Sequence, residues 1–63
     1  MPTPHDVVAQ ECVEELRAAL AAHGITLPSL GRDYGTPPLV ILGNCNLATA
    51  HALAGVLREA AGR

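Results

Sequence analysis

The stretch from Val40 to Leu47 has the residue types and order that could do chemistry. Apolar residues precede Gly43, Cys45 follows two positions later, and a helical pattern begins at Leu47. A strand, a sharp turn with a nucleophile and a helix start resemble a nucleophile elbow. Leu47 replaces the motif's second glycine, and 63 residues are too few for the sheet that supports such an elbow. We favour a small buried residue that fills a turn, and keep Cys45 as the low-ranked catalytic candidate, for a thiol-based redox or covalent function.

Histidine and cysteine side chains could also bind a metal ion, since zinc prefers imidazole and thiolate ligands. The possible ligands are Cys12, Cys45, His5, His23 and His51. They form no C-x-x-C or H-x-x-x-H pair, and along a helix His5 and His23 would lie about 27 Å apart. We therefore expect no metal. The glycines match no phosphate-binding motif, so we expect no nucleotide cofactor.

Three acidic residues, Glu11, Glu14 and Glu15, cluster on the first helical segment. They could serve as acid–base carboxylates, but a solvated helix face is the better interpretation, with Glu14 and Arg17 as an i,i+3 pair.

The most polar loop contains Arg32, Asp33 and Tyr34. It could be a recognition epitope for a protein partner, but a plain turn is the interpretation that we favour.

Composition limits the classes of partner. The chain has a formal net charge of −2, with four arginines and no lysine, and the arginines are scattered: Arg17, Arg32, Arg58 and Arg63. Because phosphate-backbone binding depends on clustered basic contacts, nucleic acid is disfavoured, and a DNA-binding accessory is the weakest alternative. We find no basic leader and no long apolar stretch, so we expect a cytoplasmic protein without a membrane anchor. Its cysteines are then expected to stay reduced.

The first helix is predicted over about residues 4–23. Thr3 supplies a capping hydroxyl, Pro4 the first helical position and Asp6 a carboxylate near the helix start. Gly24 and Ile25 fit a Schellman motif at its end. The residues that recur at helical spacing are Ala9, Cys12, Val13, Leu16, Ala19 and Leu20. We expect this face to be buried.

A proline- and glycine-rich arm at 25–38 is expected to pack Leu27, Leu30 and Tyr34 down onto the core. The apolar run that follows, Leu39–Leu42, predicts a short strand buried on both faces. The intrachain partner that we considered is Ile25–Leu30, where Pro28 is unfavourable in a central strand. We therefore expect the dimerisation residues, Leu39, Val40, Ile41 and Leu42, to pair with their own copy across a two-fold axis.

The second helix is predicted over about residues 47–61, capped by Asn46 or Asn44. Beside its apolar stripe it has a face of small residues: Ala48, Ala52 and Gly55. Gly55 costs helix stability. It marks either the close approach of another helix or neutral drift on an exposed face, and both remain open.

The segments Leu27–Gly31, Pro38–Val40 and Leu42–Asn46, with Ala50, Leu53 and Ala54, resemble short uncharacterised proteins of GC-rich actinobacteria. That resemblance implies a bacterial source but no activity. The sequence thus predicts one α+β domain over residues 1–63, with the order helix, loop, short strand, helix. As function we expect a small homodimeric interaction or regulatory module without catalytic activity of its own. We expect it to contact a larger protein partner through the small-residue face of the second helix (Ala48, Ala52 and Gly55) or through the Arg32–Tyr34 loop.

Overall fold

The computed structural model describes residues 4–62 and has two helices with a small sheet between them in the chain. Helix α1 spans Pro4–Ala21, strand β1 Gly31–Arg32, strand β2 Val40–Ile41 and helix α2 Leu47–Ala61. The predicted α+β class is confirmed. The capping hydroxyl predicted at Thr3 lies outside the described residues, as does Arg63.

The Schellman motif at the end of α1 is confirmed. Gly24 has a φ of +70°, and its N–H donates to the carbonyl oxygen of Ala21 at 2.9 Å. The N–H of Ile25 donates to Leu20 O at 3.0 Å, and both of these side chains are buried. Helix α1 itself ends two residues before the predicted limit, because 22–24 form the turn of this motif.

The core lies between α1 and the arm. Its connected cluster consists of Val13, Leu20, Ile25 and Leu30, and the half-buried side chains against it are Leu16, Leu27, Leu53 and Val56. Ala9 is also buried, whereas Cys12 and Ala19 are exposed although they recur at helical spacing. The arm therefore covers a narrower stripe of α1 than the periodicity predicts.

Strand β2 pairs within the chain, and its partner is β1 rather than Ile25–Leu30. It is antiparallel to β1, with Gly31 opposite Ile41 and Arg32 opposite Val40. The segment before β1 cannot take this place: Leu30 N–H donates to Leu27 O in a turn, and Pro28 has no N–H.

The expectation that Leu39–Leu42 is buried on both faces is wrong for the single chain. All four residues are exposed, with Val40 at 38% and Ile41 at 44%. Each strand of a two-stranded sheet has one outer edge without a neighbouring strand. Only α1 packs near this sheet, so too little structure surrounds β2 to bury it.

Helix α2 begins as predicted, because Asn46 Oδ1 accepts a hydrogen bond from the N–H of Thr49 at 2.8 Å. None of its 15 residues is buried. No Cα atom of α2 lies within 8 Å of one in α1, β1 or β2. The helix touches the core through Leu53 and Val56, so the molecule is elongated, with extents of 39 × 26 × 17 Å.

Candidate interaction surface

An ion pair between Arg32 and Asp6 fixes the hairpin to the first turn of α1. Arg32 Nη1 donates to the backbone oxygen of Asp6 at 2.9 Å, and Nη2 donates to Asp6 Oδ1 at 2.5 Å. The Arg32 side chain is 7% exposed and that of Asp6 32%. These contacts place β1, and through it β2, beside the start of α1.

Asp33 organises the loop between the two strands. Its Oδ1 accepts hydrogen bonds from the N–H groups of Gly35, at 3.0 Å, and Leu39, at 3.1 Å. Its own N–H donates to Leu39 O at 2.9 Å. These amide hydrogen bonds hold the pKa of Asp33 below its ordinary value of 3.8; slight desolvation opposes them and the Arg32 charge adds a smaller lowering. The carboxylate thus closes the loop at its base.

Tyr34 projects from this loop. The prediction that its side chain packs onto the core is therefore wrong. The residue is 81% exposed, and its ring centroid lies 4.3 Å from Cζ of Arg32. A guanidinium beside an aromatic face is an attractive cation–π arrangement. Of the three predicted epitope residues, Arg32 has its guanidinium in internal contacts, Asp33 is half-buried and Tyr34 alone is well exposed.

The four predicted dimerisation residues form an exposed apolar strip along β2 and its two ends: Leu39, Val40, Ile41 and Leu42. Between this strip and α1 lies an open cleft, lined by His5, Val8, Ala9, Cys12, Pro37, Pro38 and Val40. The cleft is largely apolar, and Val40, which lines it, joins it to the exposed strip.

Helix α2 carries a second exposed surface. Leu47 is 88% exposed and Leu57 is also exposed, as are Ala48 and Ala52. Apart from the adjoining backbone of α2, no atom of residues 4–62 lies within 4 Å of the position that a Cβ on Gly55 would occupy. Among the residues that the structure describes, therefore, no neighbouring helix approaches Gly55.

Both cysteines are free and exposed. The expectation that Cys45 is a buried residue filling the turn is therefore wrong, and Cys45 directly precedes the capping residue Asn46 in the chain. Within residues 4–62, no hydrogen bond joins Cys45 to an acid or a base, and no three potential ligands lie close enough to hold a metal ion.

The acidic face of α1 is arranged as expected around one ion pair. Glu14 Oε1 accepts hydrogen bonds from Arg17, at 2.6 Å, and Gln10, at 2.9 Å. Arg17 also donates to Leu30 O at 3.3 Å. The predicted Glu14–Arg17 pair is confirmed, whereas the contact to Leu30 and the Asp6–Arg32 pair have no short-range signal in the sequence.

No helix in the described part of the chain is long and apolar enough to cross a membrane. Comparisons with family models, with curated proteins and with solved structures found no match to this chain. The geometry above is thus the basis for a functional proposal.

Proposed function

We propose that this chain is a small homodimeric protein-interaction or regulatory module with no catalytic activity of its own. The observation that carries the proposal is an excess of accessible surface. The chain exposes 4864 Å². A compact monomer of 6.5 kDa would expose about 3,800 Å² by the usual scaling with mass. The excess is on the order of 1,000 Å², and a standard protein interface buries about 800 Å² on each partner.

The shape supports the same proposal. The radius of gyration is 13.3 Å, whereas a compact domain of this length has about 10.6 Å. Four of the large exposed hydrophobic residues lie on the hairpin strip, and α1 and α2 carry two each: Val7 and Val8 on α1, Leu47 and Leu57 on α2. Contiguous exposed apolar surface of this kind is typical of interaction sites.

The two surfaces suit different roles. We assign self-association to Leu39–Leu42, because an open strand edge accepts another strand. We assign a larger protein partner to the α2 face of Ala48, Ala52 and Gly55, with Tyr34 on the hairpin loop as a second contact. The net charge of −2 and the internal contacts of Arg17 and Arg32 favour a protein partner over nucleic acid. We place the protein in the cytoplasm, where Cys12 and Cys45 stay reduced.

Solution mass tests the homodimer. Light scattering after size exclusion, over a dilution series, should give twice the 6.5 kDa chain mass at high concentration and a fall towards one chain on dilution. A mass of one chain at every concentration up to about 1 mM, a weak-binding limit, would contradict the proposal.

A thiol-based function of Cys45 is a second candidate, favoured by the exposure of this thiol beside the start of α2. Cys12, exposed in the middle of α1, is the matched control. Single-cysteine variants Cys12→Ser and Cys45→Ser should be alkylated at neutral pH. A rate at Cys45 at least tenfold above that at Cys12 would support thiol chemistry, and equal rates would contradict it.

A further inference from the structure

The register of the hairpin determines which backbone N–H and C=O groups of β2 remain available for hydrogen bonds to another strand. Asp33 N–H donates to Leu39 O, so 33 and 39 form a hydrogen-bonded pair. Such pairs alternate along an antiparallel ladder, so the next pair, Arg32 and Val40, does not exchange hydrogen bonds. The N–H and C=O of Val40 therefore point to the outer edge. Because the direction of these backbone groups alternates along the strand, the N–H and C=O of Leu42 also point to the outer edge.

This outer edge has little to prevent pairing. Proteins usually protect edge strands with charged side chains, prolines or a covering element. Pro37 and Pro38 precede the strip and Gly43 follows it, but Leu39–Leu42 contains no charge and no proline. No Cα atom of α2 lies within 8 Å of β2, so that helix does not cover the edge.

We infer that a second copy of this chain pairs antiparallel along the outer edge of β2, with Ile41 opposite Ile41 of that copy and Val40 opposite its Leu42. The inference rests on the proposed homodimer and adds its interface and register. The product is a four-stranded sheet in which β1 of each chain is outermost.

Two neighbouring registers are less favourable. With Val40 opposite Val40 of the second copy, Leu42 faces Pro38, which has no N–H to donate. With Leu42 opposite Leu42, Val40 faces Asn44, beyond the bend at Gly43, whose φ is +77°. The inferred register pairs every outward N–H and C=O of Val40 and Leu42 and avoids both obstacles.

The side chains fit this arrangement. Val40 lines the cleft between β2 and α1 with Val8 and Cys12. Directly opposite residues lie on the same face of a sheet, so Leu42 of the second copy would lie beside Val40 and over this apolar cleft. The interface is uncharged and self-complementary, as a two-fold axis requires.

Cysteine cross-linking tests the register. In a Cys12→Ser/Cys45→Ser background, which changes two exposed residues, Ile41→Cys and Val40→Cys are compared as a matched pair. Opposite residues in a non-hydrogen-bonded pair have Cα atoms about 4.5 Å apart, within the range of a disulfide. In this register Val40 is diagonal to its own copy, at about 7–8 Å, which exceeds that range. With diamide as the oxidant, Ile41→Cys should form a covalent dimer at least tenfold faster than Val40→Cys.

Light scattering on the cysteine-free protein and circular dichroism on all variants accompany the experiment. If the protein is dimeric and Val40→Cys cross-links as fast or faster, the register is wrong. If it is dimeric and neither variant cross-links, the edge of β2 is not the interface. The proposed homodimer then forms through another surface. A monomeric cysteine-free protein overturns the register and the homodimer together.

Discussion

Arg32 reaches across 26 positions of sequence to donate hydrogen bonds to both the backbone oxygen and the carboxylate of Asp6. The first turn of α1 and the hairpin are held together through this one side chain, which is almost fully buried. A buried charge that loses its partner is costly, because desolvation is no longer compensated. The hairpin strip is positioned through this contact, so stability and the proposed interaction surface are linked.

Replacing Asp6 with asparagine should lower the free energy of unfolding by about 1–3 kcal/mol, less than for a fully buried pair because Asp6 is partly exposed. Glu14→Gln, at the exposed pair with Arg17, is the control and should change stability by less than about 0.5 kcal/mol. Urea denaturation followed by circular dichroism, at one protein concentration, measures both. Equal effects of the two substitutions would mean that the Asp6–Arg32 pair does not fix the hairpin.

The Asp33 carboxylate should make the hairpin loop sensitive to acid. Its folded-state pKa is lowered below 3.8 by the amides of Gly35 and Leu39. Its contribution to stability is therefore complete above the unfolded value and is lost as the pH falls through the lower, folded value. In an NMR titration, the amide resonances of Gly35 and Leu39 should shift together with a midpoint below 3.8. Asp33→Asn should abolish this shared transition, and its persistence in that variant would assign it to another group.

Gly43→Ala should destabilise the fold by about 2 kcal/mol or more, since strain and a steric overlap act together. Gly43 has a φ of +77°, and a Cβ there would overlap the Cβ of Ser29. Gly24→Ala is the matched control: its φ is +70°, but apart from its two chain neighbours no atom of the described residues lies within 4 Å of the added Cβ. That variant should lose only about 1 kcal/mol. Thermal denaturation of the two variants separates the effect of steric overlap from that of backbone strain. Equal losses of stability would show that Ser29 moves aside freely.

Gly55→Ala should raise the free energy of unfolding by up to about 1 kcal/mol, through helix propensity alone. The added methyl group meets no other part of the described chain within 4 Å, and the proposed dimer does not use this face. The dimer dissociation constant, from sedimentation equilibrium, should therefore not change. A weaker dimer with an unchanged helix content would instead place Gly55 at a close helix approach between copies.

Ile41→Lys should weaken the dimer at least tenfold while leaving the single chain folded, because Ile41 is already 44% exposed. Two lysines opposite each other across the axis would repel. Leu47→Lys, on α2, makes the same chemical change at a residue 88% exposed and should leave the dimer intact. Dissociation constants from the dilution series compare the two variants. If Leu47→Lys is the more disruptive, α2 rather than β2 closes the dimer.

Features that depend on neighbouring residues were predictable from the sequence. The cap at Asn46, the Schellman motif at Gly24 and the Glu14–Arg17 pair each involve residues within five positions of one another. Local backbone sterics and hydrogen bonding decide such features before any tertiary contact forms. The two helices and the α+β class follow from them.

The hairpin partner and the exposure of its strip were decided only by the tertiary structure. Nothing in the types of Gly31 and Arg32 identifies a strand, and the Asp6–Arg32 pair has no spacing rule, because its geometry exists only once the arm has folded against α1. The apolar run Leu39–Leu42 predicts burial on both faces, yet burial depends on how much chain remains to cover a strand. With 63 residues, the sequence by itself determined that two helices form, that the second begins after Asn46 and that Leu39–Leu42 is apolar. The tertiary fold decided that this apolar strip lies on the surface, since α1 and the arm cover only part of it and α2 packs elsewhere.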